Sequence, residues 1–314
     1  MRQLAAFAGV MFCSAMFAQT TVPRENIPTG VSPEIREEIE RLYLKTTDVV
    51  QAAEKLGAMG ARAAPAIPFL MGLFKGGDSL ECVQEGRTQF CGFGLEKGAA
   101  GAALAMIGAP ALPPLLETLK TGDEDAASGA IAALARMKDP RASAALIQFA
   151  KDARYVHRKA IPSELGRSED PQAGDLLLAL AKDSDPEMRS SAMRGLADSK
   201  DRRAADALIA GLADSDDSVR TSAGFALRDL KEPRAFDALV KALADSNGTV
   251  RNSACQALGE LKDTRAVEAL IAVVSRDPEE LVRFQAGRAL EAITGQAFGE
   301  SGTQWQSWFN QQKR

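Results

Sequence analysis

Arginine returns at a nearly fixed interval in the second half of this chain, every 31 residues and, at the last step, after 32. The positions are Arg158, Arg189, Arg220, Arg251 and Arg283. A guanidinium can bind an anionic ligand or pair with a carboxylate of the protein itself. Four of these arginines follow an acidic or amide residue by four positions, as Arg220 follows Asp216, which permits local pairing and helix capping. We therefore predict a structural role for the arginines rather than anion binding.

A second set of charges recurs with the same period and is predicted to point outward. It consists of arginines each followed three residues later by an acid, with one lysine on the same face: Arg203 and Asp206, Arg234 and Asp237, Arg265 and Glu268, and Lys241. Alternating charges with small residues such as Ala210 and Ala272 between them suit an extended peptide or a helix of a partner protein. The alternative is that they are solvated pairs at helix starts, each worth a few tenths of a kcal/mol.

Two cysteines flank a glycine-rich stretch that interrupts the periodic pattern. Cys82 and Cys91 are separated by eight residues, and in an oxidising compartment a disulfide between them would close this loop. A zinc site is a poor alternative because no histidine lies nearby. Cys255 occupies the position of Gly224 in the preceding unit, so it is predicted to be a packed thiol.

Catalytic and cofactor signals are weak. The single histidine, His157, stands beside Arg158 at a predicted helix start, where a surface role is the simpler interpretation. The chain has no glycine-rich phosphate loop, nucleophile elbow or metal-spaced cluster. We predict no enzymatic activity and no cofactor.

Composition narrows the classes of partner. Of 314 residues, 46% are hydrophobic but only 5% aromatic, so the core is expected to consist of Ala, Leu, Ile and Val. The formal net charge of −4, with no run of basic residues, argues against nucleic acid and against an anionic membrane surface. The expected partner is another protein or a peptide.

Residues 1–18 have the pattern of a secretory signal peptide, with Arg2 followed by a short apolar stretch and small residues. A spanning helix would need about 20 apolar residues. Cleavage after Ala15 or after Ala18 are both open. A lipidated Cys13 is disfavoured because Phe12 is bulky for that motif. We expect an exported, periplasmic or extracellular protein with no membrane insertion after cleavage.

The periodic charges must be carried by repeated helices. In the unit from Asp216 to Ser246, apolar residues follow helical spacing over 218–227, and a turn containing Pro233 leads to a second helix over 234–244. Stacked units align columns of Ala (192, 223, 254 and 286) and Leu (196, 227, 258 and 290). Such columns let helices approach closely and fill the interior.

The phrase Asp-x-x-Val-Arg-x-x-Ala-x-x-Ala-Leu at 216–227, followed by Lys-x-x-Arg-Ala-x-x-Ala-Leu at 231–239, resembles the short HEAT-like repeat of phycobilisome lyases. The resemblance is strong over residues 125–294. It implies an all-α fold, an α-α superhelix of the HEAT/armadillo type, with second helices lining the concave side. In that family a row of Arg with Asp partners joins the repeats, while the scaffold itself carries no chemistry. A related di-iron hydroxylase uses several His-Glu pairs, which one histidine cannot supply.

The repeats are predicted to occupy residues 47–294 as seven helical hairpins and a final helix over 279–294. Hairpins are expected to start near Thr47, Leu95, Asp125, Arg154, Pro186, Asp217 and Gly248. Pro162 should kink or delay one first helix, and a loop over about 76–94 interrupts the series. Residues 19–46, with a helix over 32–44, and residues 295–314, with Trp305 and Trp308 on one helical face, are expected to cap the ends.

These observations predict a non-enzymatic protein-binding scaffold that uses the concave face of the solenoid. The alternative is a lyase-like or chaperone-type factor acting on a partner that carries a cofactor. Both hypotheses place function on the second helices or on the loop between the two cysteines.

Overall fold

The structure is a computed structural model that describes residues 20–44, 46–75, 80–85, 88–93, 95–199 and 201–312, with the backbone alone described at 46, 75, 80–85 and 88–93. The predicted signal peptide lies outside the described residues. The chain divides into two compact units, Met1–Ala133 and Leu134–Arg314, with the boundary inside the sixth helix. Both units are built from helical hairpins, so the predicted all-α repeat fold is confirmed.

Unit 1 contains two helical hairpins, a preceding helix and the start of a third hairpin. Its helices are α1 Pro33–Arg41, α2 Thr46–Ala58, α3 Ile67–Gly72, α4 Leu95–Ile107, α5 Leu112–Thr121 and α6 Glu124–Arg136. Short 3-10 turns, Gly60–Ala66 and Ala109–Ala111, lead into α3 and α5. Proline stands at the first or second helical position of α3 and α5, where its missing N–H costs nothing.

The insertion that we expected to be a loop forms a β-hairpin. Strands β1, Leu80–Glu85, and β2, Thr88–Phe93, pair antiparallel. The register places Cys82 directly opposite Cys91, while their side chains lie outside the described part of the chain.

Unit 2 holds the regular repeats. Its helices are α7 Pro140–Lys151, α8 Ile161–Leu165, α9 Pro171–Leu180, α10 Pro186–Asp198, α11 Ala204–Gly211, α12 Asp217–Leu230, α13 Phe236–Ala242, α14 Gly248–Leu261, α15 Val267–Arg276, α16 Glu280–Thr294 and α17 Gly302–Gln312. The first helices begin at α10, α12 and α14 within one residue of their predicted starts. The Ala and Leu columns of α10, α12, α14 and α16 are fully buried, as the spacing predicts.

The unit with Pro162 departs from this pattern. Its first helix shrinks to a 3-10 turn, Arg158–Ala160, and the five residues of α8. Proline can occupy only the first turn of a helix because it lacks an N–H and its ring clashes with the preceding turn. The helix therefore starts late rather than kinking.

The C-terminal helix packs through aromatic residues. Trp305 is fully buried, and its Nε1 donates a hydrogen bond to the Gly299 carbonyl at 2.8 Å. The Trp305 ring meets Phe298 and Trp308 edge to face, with centroid distances of 4.9 and 6.1 Å. These contacts bury apolar surface at this end of the repeats.

In the described residues no single helix is long and apolar enough to cross a membrane. By length and composition, α4 together with residues 109–121 meets that test only as a pair bent by 116°.

Candidate partner-binding surface

The periodic arginines form a ladder along the turns that join successive hairpins of unit 2. Arg220 donates from Nε and Nη2 to the two oxygens of Asp245 at 2.7 and 2.9 Å, and from Nη1 to the carbonyl of Asp214 at 2.9 Å. Arg189 binds Asp214 in the same manner, and Arg251 binds Asp277. Each of these three arginines thus ties the turn before its hairpin to the turn after it.

The ends of the ladder are looser. Arg158 approaches Asp183 at 3.9 Å, and Arg283 approaches Glu300 at 3.8 Å. Arg283 still donates from Nη1 to the Asp277 carbonyl at 2.9 Å. The three central arginines therefore carry the closest pairs.

Local pairing of each arginine with the residue four positions earlier is not what the structure shows. The carboxylate of Asp216 accepts hydrogen bonds from the backbone N–H and the hydroxyl of Ser218 and so caps α12. Asp185 and Asn247 cap α10 and α14 in the same manner. The prediction that these residues cap helices is confirmed. The arginines pair instead with an acid 25 or 26 residues further along the chain.

The ladder shifts the acidity of its carboxylates, Asp214, Asp245 and Asp277. Hydrogen bonds from Arg189 lower the pKa of Asp214. At Asp245 and Asp277, burial raises the pKa, but hydrogen bonds from the arginine and from a backbone N–H outweigh burial, so the net pKa is lowered. All three ladder carboxylates are thereby kept ionised to lower pH than a free aspartate.

The seven residues predicted to form a partner-binding face are all exposed, and they lie at the starts of the second helices or on them. We call this surface the second-helix face; its members are Arg203, Asp206, Arg234, Asp237, Lys241, Arg265 and Glu268. Arg203 and Arg234 form ion pairs with acids other than the ones three residues ahead of them. Arg234 donates to Asp206 of the preceding unit at 2.8 Å.

The same cross-unit link recurs along the second-helix face. Arg203 donates to Asp175 at 2.8 Å. At Arg265 the hydrogen bonds to Asp263 raise the pKa most, and the charge of Asp237 in the preceding unit adds to that rise. Each of these arginines also binds the acid two residues before it, as Arg265 binds Asp263.

A groove opens between α13 and α15, the second helices that carry Lys241 and Glu268. Its volume is about 490 Å³, and its floor is apolar, formed by Val240 and Leu243 on one side and Ala269, Ala272 and Val273 on the other. Ala272 occupies the position that Lys241 holds one unit earlier, so a small side chain leaves the groove unfilled.

A cation that the repeat pattern does not contain stands at the end of this groove. The single extra residue that lengthens the last interval to 32 lies near Arg276, which lines the groove and is exposed. Neither Arg276 nor Lys241 forms an ion pair with any described residue. These second helices thus combine an apolar groove with two cations, Lys241 and Arg276, and we include the groove and Arg276 in the second-helix face.

The comparison with known families agrees with the repeat geometry. A family model described as HEAT repeats matches residues 143–228 and 205–291. This chain is a HEAT-repeat protein. No curated protein matches its sequence.

Several solved structures share similarity with this HEAT-repeat protein. Human deoxyhypusine hydroxylase, in complex with glycerol, is 24% identical, with 84% of this chain and 96% of that chain covered and a TM-score of 0.36. The complex of CpcE and CpcF of phycocyanin lyase from Nostoc sp. PCC7120 is 18% identical, with 87% and 98% covered and a TM-score of 0.39. A computationally designed armadillo repeat protein for modular peptide recognition is 18% identical, with 58% and 100% covered and a TM-score of 0.41. Similarity at this level does not decide between a scaffold and a lyase-like or chaperone-type factor.

The one histidine lies in the irregular unit of the HEAT repeats. The His157 ring is 5.6 Å from the ring of Tyr155, edge to face, and Tyr155 packs in turn on Phe149. Among the described residues no group of three or more His, Cys, Asp or Glu side chains is arranged to hold a metal ion. Cys255 is fully buried, and burial raises the pKa of its thiol to about 12, as expected for a packed rather than reactive cysteine.

Proposed function

We propose that this HEAT-repeat protein is a non-enzymatic scaffold that binds another protein through its second-helix face. The observation that carries the proposal is the groove between α13 and α15. Its apolar floor can bury the side chains of a partner segment, and Arg276 at its end can pair with an acid of that segment. The matching partner is a segment that presents apolar residues next to an acidic one.

The repeat pattern offers a minimal variant for testing this surface. Ala272→Lys places in the groove the side chain that the preceding unit already carries as Lys241, so it fills the groove without disturbing the helix. Gln306→Lys, an exposed change on α17 with the same gain in charge, is the matched control. A triple change of Arg234, Asp237 and Lys241 to Ala tests the rest of the face.

The assay is crosslinking and affinity capture from the native cell envelope, with captured proteins quantified. We expect Ala272→Lys and the triple variant to capture less of the proteins bound by wild type, and Gln306→Lys to capture the same amount. Far-UV circular dichroism must show equal helicity in all variants. Equal capture by Ala272→Lys, the triple variant and wild type would rule out the second-helix face.

We further propose that the scaffold is exported after removal of residues 1–18. The pattern of residues 1–18 supports this, as does Thr20, which is buried and donates from Oγ1 to the Phe69 carbonyl at 2.7 Å only two residues beyond the predicted leader. N-terminal sequencing of the protein from fractionated cells tests the proposal. A chain beginning at Met16 or at Gln19 in the periplasm or medium is expected, and an uncleaved chain in the cytoplasm would contradict it.

A disulfide between Cys82 and Cys91 is part of the same proposal. The antiparallel register, which places these residues opposite each other, supports it. Thiol labelling in denaturant should modify Cys255 alone before reduction and all three cysteines of the processed chain after reduction. Labelling of all three cysteines without reductant would show that the bond is absent.

A further inference from the structure

A second groove, which the repeat pattern does not reveal, lies on the first helices of unit 2. It has a volume of about 650 Å³ and is lined by α8, α10 and α12. Phe225 and Ala226 give it an apolar part, and Arg194 lines it from α10. A volume of this size is that of an ordinary ligand pocket.

Two serines hold the Arg194 guanidinium in place. Nη1 of Arg194 donates to Ser190 Oγ at 3.1 Å and to Ser222 Oγ at 3.5 Å, and the two hydroxyls are 2.9 Å apart. Both serines are buried. Since these bonds use one nitrogen, Nε and Nη2 remain available as a planar pair of donors, which is the geometry that binds a carboxylate through both oxygens.

Of the three arginines that line this groove, Arg194 is the one that forms no ion pair with a described acid. Arg167 pairs with Glu164 and lies 3.2 Å from Asp198, and Arg228 pairs with Asp229 at 2.8 Å. No described residue forms an ion pair with Arg194. Its column reads Phe225, Gln256 and Arg288 in the following units, so the arrangement is specific to one repeat.

We propose that this groove binds a peptide segment of a partner protein by clamping an acidic side chain on Arg194, with an apolar neighbour of that side chain against Phe225. The ligand is a carboxylate rather than a phosphate. The lining contains three acids and three arginines, so its net formal charge is zero, and Arg194 is the arginine there that no described acid pairs. A singly charged, planar anion fits this balance, whereas a phosphate dianion would be repelled more strongly.

The test uses the full chain and three probes measured by isothermal titration calorimetry: acetyl-Phe-Glu-Phe-amide, acetyl-Phe-Gln-Phe-amide and inorganic phosphate. The glutamate peptide should bind wild type about tenfold or more tightly than the glutamine peptide, because a charge-assisted bidentate pair is lost in the latter. Phosphate should bind more weakly than the glutamate peptide. Equal binding of the two peptides, or tighter binding of phosphate, would overturn the proposal.

Variants assign the binding to Arg194. Arg194→Gln should abolish the preference for the glutamate peptide. Arg194→Lys should weaken this preference, because lysine keeps the charge but lacks the planar pair of donors. Arg288→Gln, the exposed position in the same column of α16, is the matched control and should bind like wild type. An unchanged preference in Arg194→Gln would refute the site. Ala272→Lys should retain this binding, which separates the groove from the second-helix face.

Discussion

Replacing Arg251 by glutamine should destabilise unit 2 more than replacing any residue of the second-helix face. The Arg251 side chain is 9% exposed and that of its partner Asp277 is 5% exposed. Arg251 donates two hydrogen bonds to Asp277, one to Glu279 and two to the carbonyls of Asp245 and Ser246. Glutamine can restore only one or two of these bonds.

The magnitude follows from what remains buried. Removing one member of a buried ion pair costs about 3 to 5 kcal/mol, because the other charge stays buried without its partner. In the variant the Asp277 carboxylate keeps one hydrogen bond, from the Glu279 N–H at 3.0 Å. Water can also enter the space left by the arginine side chain and solvate the carboxylate. We therefore expect a loss of about 2 to 3 kcal/mol in the free energy of unfolding.

Equilibrium unfolding in urea measures this loss. The only two tryptophans of the chain, Trp305 and Trp308, both lie in unit 2, so their fluorescence reports on that unit. Arg265→Gln, whose side chain is 66% exposed, is the control and should leave the urea midpoint nearly unchanged. If Arg251→Gln shifts the midpoint no more than Arg265→Gln does, the ladder does not hold the repeats together.

Three further outcomes follow from the same contacts. The ladder carboxylates have lowered pKa values in the folded protein, so the stability they contribute is complete above the pKa of an unfolded aspartate, about 4. This stability is lost as the pH falls below that value. A urea midpoint that does not decrease between pH 5 and pH 3 would contradict the prediction. Asp245→Asn should flatten that pH dependence, which the same titration measures. Gly195→Ala should lower the melting temperature by crowding the Pro162 carbonyl, whereas Gly98→Ala, which meets nothing within 4 Å, should raise stability by up to about 1 kcal/mol; calorimetry that shows the same sign for both would refute the close approach.

The helices of unit 2 could be predicted because their buried residues recur with the period of the repeat. An Ala or Leu that must face its copy in the next unit cannot vary freely, so the columns at Ala223 and Leu227 fix the register of every first helix. Pro162 likewise had one physical consequence, a late start, among the two that its position allowed.

The contacts of the charged residues could not be predicted in the same manner. Sequence spacing shows neighbours within one helix, so Asp216 looked like the partner of Arg220, whereas the fold brings Asp245 to it across a whole hairpin. Arg194 carried no signal because its surroundings do not recur in other units and depend on two serines, from successive units, that only packing brings together. The β-hairpin was missed because the glycines of 76–94 resemble a turn more strongly than strands 80–85 and 88–93 resemble a sheet.

The ladder also determines how the length of this protein can evolve. Excising the 31 residues from Asp216 to Ser246 would join Ser215 to Asn247, and Arg251 would then find the carbonyls of Asp214 and Ser215 where it now finds those of Asp245 and Ser246. Arg189 would keep Asp214 as its partner. Because the equivalent residues of the next unit restore each ladder contact, whole units can be gained or lost by unequal recombination without the need for a new interface. A surface that does not recur along the repeats, such as the Arg194 groove, can then diverge while the repeated contacts stay unchanged.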